Sequence, residues 1–175
     1  SAGSQVGWEA AKSGWRPVPG VTYPGVIQQP ALLERGPEFL RKRRASILPP
    51  REGGDYRVLV PGFGADNNEK GCLMMPAVAV PVASLTSWNL RHESVGAPGE
   101  LLSLQGGYLP FLRDKKARTM AKDPRLSLLE RYRGFEFYLE EYLAWGRKLV
   151  RERYLLAEDL PSVDRGAWNR EKLFE

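Results

Sequence analysis

The chain is short of the groups from which most enzyme sites are built. It has one cysteine, Cys72, and one histidine, His92. A lone cysteine excludes an intrachain disulfide and a cysteine-based metal cluster, and it leaves the redox compartment open. No apolar run approaches the roughly 20 residues needed to span a bilayer. No G-x-S-x-G elbow, Gly-rich phosphate loop, zinc-ligand spacing or dinucleotide fingerprint occurs anywhere. The usual local signatures of a serine nucleophile, a nucleotide site or a metal site are therefore missing. No catalytic residue, cofactor or metal ligand is assigned from the residues alone. The chain starts at Ser1 without an initiator Met or a hydrophobic signal region, which fits a processed or trimmed chain or a fragment.

Proline and glycine are abundant instead. The 14 Pro and 18 Gly lie mostly before residue 110, so many short connections and few long elements are expected there. Hydrophobic content of 42% with five Trp excludes wholesale disorder. That apolar surface must be buried inside a core or against a partner. A net charge of +5 suits weak attraction to nucleic acid or acidic surfaces and carries no information about fold.

The densest β-branched stretch runs from Tyr56 to Arg91. Short strands are expected near 56–60 and 77–83, separated by the polar turn Asp66–Glu69, whose Asx side chains bond their own backbone. C-terminal helices are expected at about 127–133 and 135–156. Ser127 and Glu130 form a capping box for the first, with Gly134 as its stop. Phe135, Tyr138, Leu139, Tyr142, Leu143, Leu149 and Val150 mark one face of the second. Shorter helices are expected around Trp8–Ala11, within Ala31–Arg44, at Leu112–Lys122 and at Asp164–Phe174. Arg16–Pro30, with four prolines and two glycines, must be extended or turning, and is expected to lie across another surface. An aromatic turn is expected at Gly106–Phe111. The fold class is thus α+β and loop-rich. It divides into an extended wrapping segment (1–55), a strand and loop region containing Trp88-Asn89-Leu90-Arg91 (56–125) and a helical region (126–175).

Three local features invite function. Arg41-Lys42-Arg43-Arg44 reads as a solvated loop or as arginines that pair with carboxylates on a neighbour, with a nucleic-acid contact or targeting patch as the lesser reading, since no stacking platform accompanies it. His92 stands beside Glu93, with Ser84, Ser87, Ser94 and Ser103 near in sequence, but none of these serines sits on a strand-turn-helix nucleophile. A polar loop residue is the favoured reading of His92. The loop Gly64–Glu69 offers only two carboxylates, Asp66 and Glu69, too few for a calcium site of six to eight oxygens, and reads as a solvent-exposed turn.

From the central stretch onward the sequence resembles the C-terminal portion of bacterial alpha/beta hydrolase domain-containing proteins. The resemblance rests on Val58–Gly71, Pro76–Arg91, Gly96–Leu101, Gly106–Phe111, Asp123–Tyr132 and Leu155–Pro161, in that order and at about the family's spacing. It implies a hydrolase fold whose serine elbow and catalytic histidine lie upstream, so no catalytic residue carries over. Trp88, Asn89, Arg91, Pro76, Pro81, Tyr108, Pro110 and Phe111 carry over as structural positions. The family usually shows an acid where this chain has Gly64, a glycine at Asn67 and at Ser87, and a serine at Gly107. These departures argue against a loop-based ligand or ion role. Trp15, Trp88 and Tyr108 are expected to be buried against a sheet. The resemblance implies a companion polypeptide holding the rest of the hydrolase domain, with this chain in structural support. A non-catalytic subunit of a larger assembly is the alternative, and a basic nucleic-acid-contacting accessory protein the second.

Overall fold

The computed structural model describes residues 5–25, 30–71, 73–102 and 104–175. Cys72, Ser103 and residues 1–4 and 26–29 of the N-terminal stretches lie outside them. The described strands are β1 (Gln5–Gly7), β2 (Ala31–Glu34), β3 (Arg51–Asp55), β4 (Leu59–Pro61), β5 (Ala83–Thr86) and β6 (Gly107–Pro110). The helices are α1 (Trp8–Gly14), α2 (Phe39–Lys42), α3 (Pro76–Ala79), α4 (Lys115–Ala121), α5 (Leu128–Tyr132), α6 (Phe135–Arg151) and α7 (Leu160–Trp168). Long irregular connections join them, which is the α+β, loop-rich class expected.

The strands form three antiparallel ribbons, β1 with β4, β2 with β3 and β5 with β6. The stretch expected as a strand at 77–83 is mostly something else. Pro76 opens α3, where its missing N–H is no loss, and Pro81 cannot donate to a ladder, so the strand begins only at Ala83. The strand expected at 56–60 is displaced to Leu59–Pro61, because the Tyr56 N–H is already bonded to the Pro30 carbonyl at 3.0 Å. Nor do these two strands pair with each other. The segment 106–111, expected as a turn, supplies β6, with Ser84 opposite Leu109 and Thr86 opposite Gly107. Within Ala31–Arg44 the helix shrinks to α2, preceded by β2.

The C-terminal half follows the local signals more closely. Ser127 caps α5 and the reciprocal Glu130 bond is made, completing the capping box. Arg133, at φ 60°, takes the left-handed position that ends α5, while Gly134 is extended. Helix α6 stops at Arg151, five residues short of expectation. Arg153 turns left-handed and the N–H groups of Tyr154 and Leu155 reach back to the Leu149 carbonyl. The last helix starts at Leu160, earlier than expected, with Pro161 in its first turn, and a 3-10 turn at Glu171–Leu173 follows. Asp114 caps α4 through its carboxylate.

The core gathers around α6. Tyr138, Tyr142, Gly146 and Leu149 form its buried stripe at spacings of four, four and three, against Val80, Val82, Phe111, Leu128, Tyr132 and Ala167. Gly146 lets α7 come close: a Cβ there would lie 2.8 Å from Leu160 Cδ1. Trp145 Nε1 donates to the Met74 carbonyl at 2.8 Å, tying α6 to the approach to α3. None of the helices is long and apolar enough to cross a membrane among the described residues.

Candidate functional site

The Asp66–Glu69 turn is the local seed of a polar hub. Asn68 N–H donates to Asp66 Oδ1 at 3.1 Å, the Asx bond expected of this sequence. Asn67 sits at φ 62°, a left-handed position where glycine is easiest and asparagine the next best choice. Its side chain compensates by bonding both backbone groups of Arg16, accepting from N–H at 2.9 Å and donating to C=O at 2.8 Å. The turn is therefore not solvent-exposed as expected. Asn67 is fully buried and Asn68 nearly so, because their amides satisfy backbone groups that a loop crossing the interior would leave unpaired. Asn68 donates to the Ala83 carbonyl and accepts from Leu85 N–H, which fastens the turn to β5.

Arg125 enters the same hub from the far side. Its guanidinium grips Asp123 through two hydrogen bonds, 3.0 and 2.7 Å, and donates further to Ser84 Oγ and the Leu109 and Pro110 carbonyls. The Ser84 hydroxyl in turn donates to the Asp66 carbonyl. Burial pushes the Asp123 carboxyl up, but the bonds and charge of Arg125 outweigh it and hold it below the ordinary value. Both residues are almost completely buried, and the pair is tolerated because nearly every guanidinium proton finds an acceptor. In the sequence, Asp123 and Arg125 stand out only as the opening of the Asp123–Tyr132 stretch. Nothing local marks Arg125 as the clamp between the two strands of a ribbon 15–41 residues upstream.

A second polar pair flanks the hub. Arg118 binds Glu130 bidentately at 2.8 and 2.9 Å, and Ser127 donates to the same carboxylate through N–H and Oγ. The Arg118 bonds, followed by those of Ser127, pull the Glu130 carboxyl down to about 2.

The features singled out in the sequence fall elsewhere. His92 Nδ1 lies 2.9 Å from Ser94 Oγ and accepts the Ser94 N–H at 3.2 Å. This is the cap of an exposed 3-10 turn, Glu93–Val95, with the ring nitrogen occupied by backbone. In the basic run, Arg41 and Lys42 both pair with Glu38, while Arg43 and Arg44 are exposed. Arg91 bonds the carbonyls of Val95 and Gly96 and so closes its own loop. No group of three or more His, Cys, Asp or Glu able to hold a metal ion occurs among the described residues.

Beside the hub lies an open aromatic cluster. Trp8, Trp15, Tyr23, Phe63 and Trp88 meet with ring centroids 5.0–6.1 Å apart; Tyr23 stacks on Trp8 and Trp15, and Phe63 and Trp88 meet it edge-on. Trp15 is buried, while the other four rings are half-buried. Trp8, Tyr23, Phe63 and Trp88 wall a cavity of about 220 Å³, in which Glu69 is the one charged lining residue among the described residues. The Glu69 carboxylate accepts from Ser87 Oγ at 2.8 Å. Burial, and then the Glu69 charge, raise the pKa of the Tyr23 phenol. Trp15 and Trp88 were expected to be buried together with Tyr108. Tyr108 instead points out of β6 and is 54% exposed, and Tyr23, Phe63 and Trp8 take its place. Those three lie in loops or at a helix start, next to Pro24, Gly62 and Gly7, where no periodicity could have signalled them.

No curated protein and no solved structure matches this chain. The family described as alpha/beta hydrolase domain matches residues 43–164, more than two thirds of the sequence. The match takes in the hub, the β5–β6 ribbon and most of the helical core, and leaves Trp8, Trp15 and Tyr23 before its start. The chain belongs to the alpha/beta hydrolase domain family.

Proposed function

We propose that this chain is the C-terminal part of an α/β hydrolase and supports an active site whose nucleophile is carried by another stretch of polypeptide. The observation that carries the proposal is an uncovered apolar face beside the β2–β3 ribbon. Leu32, Leu33, Leu40 and Tyr56 are exposed there, Leu40 at 84%, around a broad cleft with Phe39. Clustered large apolar side chains of this kind mark surfaces that another polypeptide covers. The motif residues supply the complementary half of the reading. Asn68, Ser84, Arg125 and Tyr132 all turn their polar atoms onto this chain's own backbone or onto each other, which is the behaviour of a scaffold.

The test is labelling of the intact native assembly with a serine-directed fluorophosphonate. The expected result is a labelled serine outside residues 1–175, with Leu40→Asp releasing this chain from the labelled component. A label on Ser84, Ser87 or Ser94 would overturn the proposal. An assembly that takes no label and contains no G-x-S-x-G chain would favour a non-catalytic subunit instead.

A further inference from the structure

We propose that the cavity walled by Trp8, Tyr23, Phe63 and Trp88, with Glu69 at its side, is a binding site for a small methylated ammonium group. The proposal goes beyond the hydrolase reading and stands whether or not a nucleophile lies in another polypeptide.

The chemistry of the walls selects the ligand. Aromatic faces present negative potential, and a cation within about 6 Å of several rings is attracted to each of them. The rings here approach from more than one direction: Trp8 and Tyr23 are near-parallel at 24°, whereas Phe63 and Trp88 stand at 86° and 77° to Tyr23. Four of the five rings keep part of their surface accessible, unlike the buried rings of Tyr132 and Tyr138 beside α6. Size is adequate, since an apolar cavity of about 150 Å³ takes up benzene, and this one measures about 220 Å³.

Charge decides between ligand classes. Glu69 is the one charged group lining the cavity among the described residues, and the Ser87 hydroxyl donates to it. A neutral apolar guest would strip water from the carboxylate and return nothing, and an anion would be repelled. A primary ammonium carries three N–H donors, but the remaining lining is almost wholly apolar side chains. A methylated ammonium buries C–H groups against the rings and offers its diffuse charge to both the rings and Glu69.

The direct test titrates the full 175-residue chain with choline and, separately, with its uncharged carbon isostere 3,3-dimethyl-1-butanol. Binding is read by calorimetry and by the indole N–H resonances of the tryptophans. Choline is expected to bind saturably and about tenfold or more tighter than the isostere, the scale of a desolvated cation–π contact with a nearby carboxylate. Glu69→Gln should weaken choline about tenfold and leave the isostere unchanged. Ser87→Gly, which removes a surface hydroxyl and leaves the rings in place, should weaken choline about threefold, with the thermal transition unmoved as proof of folding. No saturable choline binding by the folded chain, or equal affinity for choline and the isostere, overturns the proposal.

Discussion

Two aromatic clusters of similar make-up behave in opposite ways. Around α6, Tyr132, Phe135, Tyr138 and Phe174 pack with centroids 5.2–6.2 Å apart, as tightly as the cluster around Tyr23. The α6 cluster is closed around its two buried tyrosines, however, with Phe135 and Phe174 half-buried against them. Its hydroxyls have fixed partners: Tyr132 donates to the Pro81 carbonyl at 2.7 Å, and Tyr138 accepts from Arg170 at 2.7 Å. The Tyr23 cluster leaves a cavity lined by Trp88, and the buried indole nitrogens of Trp88 and of Trp15 behind it find no acceptor among the described residues. Ring density is therefore no guide to role. A cluster whose polar atoms are all satisfied by its own chain is core, and one that leaves polar atoms and volume unfilled has room for something else.

Substitutions turn that contrast into numbers, beginning with the clamp that lies between the two regions. Arg125→Ala leaves the buried Asp123 carboxylate without its partner and should cost about 3–5 kcal/mol, visible as a large drop in the thermal midpoint. Because Arg125 holds β5 to β6, both aromatic regions should lose their near-ultraviolet dichroism in a single transition. Tyr138→Ala, at a fully buried ring, should cost about 3–5 kcal/mol in urea unfolding. Trp8→Ala at the open cluster should cost only about 1 kcal/mol. Equal penalties at positions 138 and 8 would dissolve the distinction between closed and open. Tyr132→Phe keeps the ring but leaves the Pro81 carbonyl unpaired, for a loss of about 1–3 kcal/mol.

The smallest expected effect is acid dependence. Glu130 titrates at about 2 in the folded chain against an ordinary 4.5, so its contribution is fully present above pH 4.5 and is lost as pH falls towards 2. Asp123, also lowered, adds to the same side. The thermal midpoint should therefore fall across that window, and Glu130→Gln should flatten the fall. A midpoint that rises on acidification would contradict the bidentate Arg118 pair.

The parts of the molecule legible in the sequence are those in which cause and effect lie a few residues apart. Ser127 and Glu130 cap α5 from three residues' distance, and the Tyr138–Leu149 stripe follows from helical spacing alone. The misplaced strand at 77–83 shows the limit. Its apolar content is high, but Pro76 and Pro81 decide the outcome through backbone geometry, and the true partner, β6, lies about 20 residues on. The hub and the open cluster were illegible for the same reason. Arg125 reaches Ser84 across 41 residues and Asn67 reaches Arg16 across 51, and no local pattern encodes either meeting.

The Asn67 amide bonded to both backbone groups of Arg16 has a dynamic consequence. Together with the β1–β4 ribbon it holds down the stretch that brings Trp8, Trp15 and Tyr23 into place. The Arg16 amide proton is shielded only while that stretch is seated. Its exchange with solvent deuterium therefore clocks how often the N-terminal wall of the cavity lifts away, residue by residue and without any label.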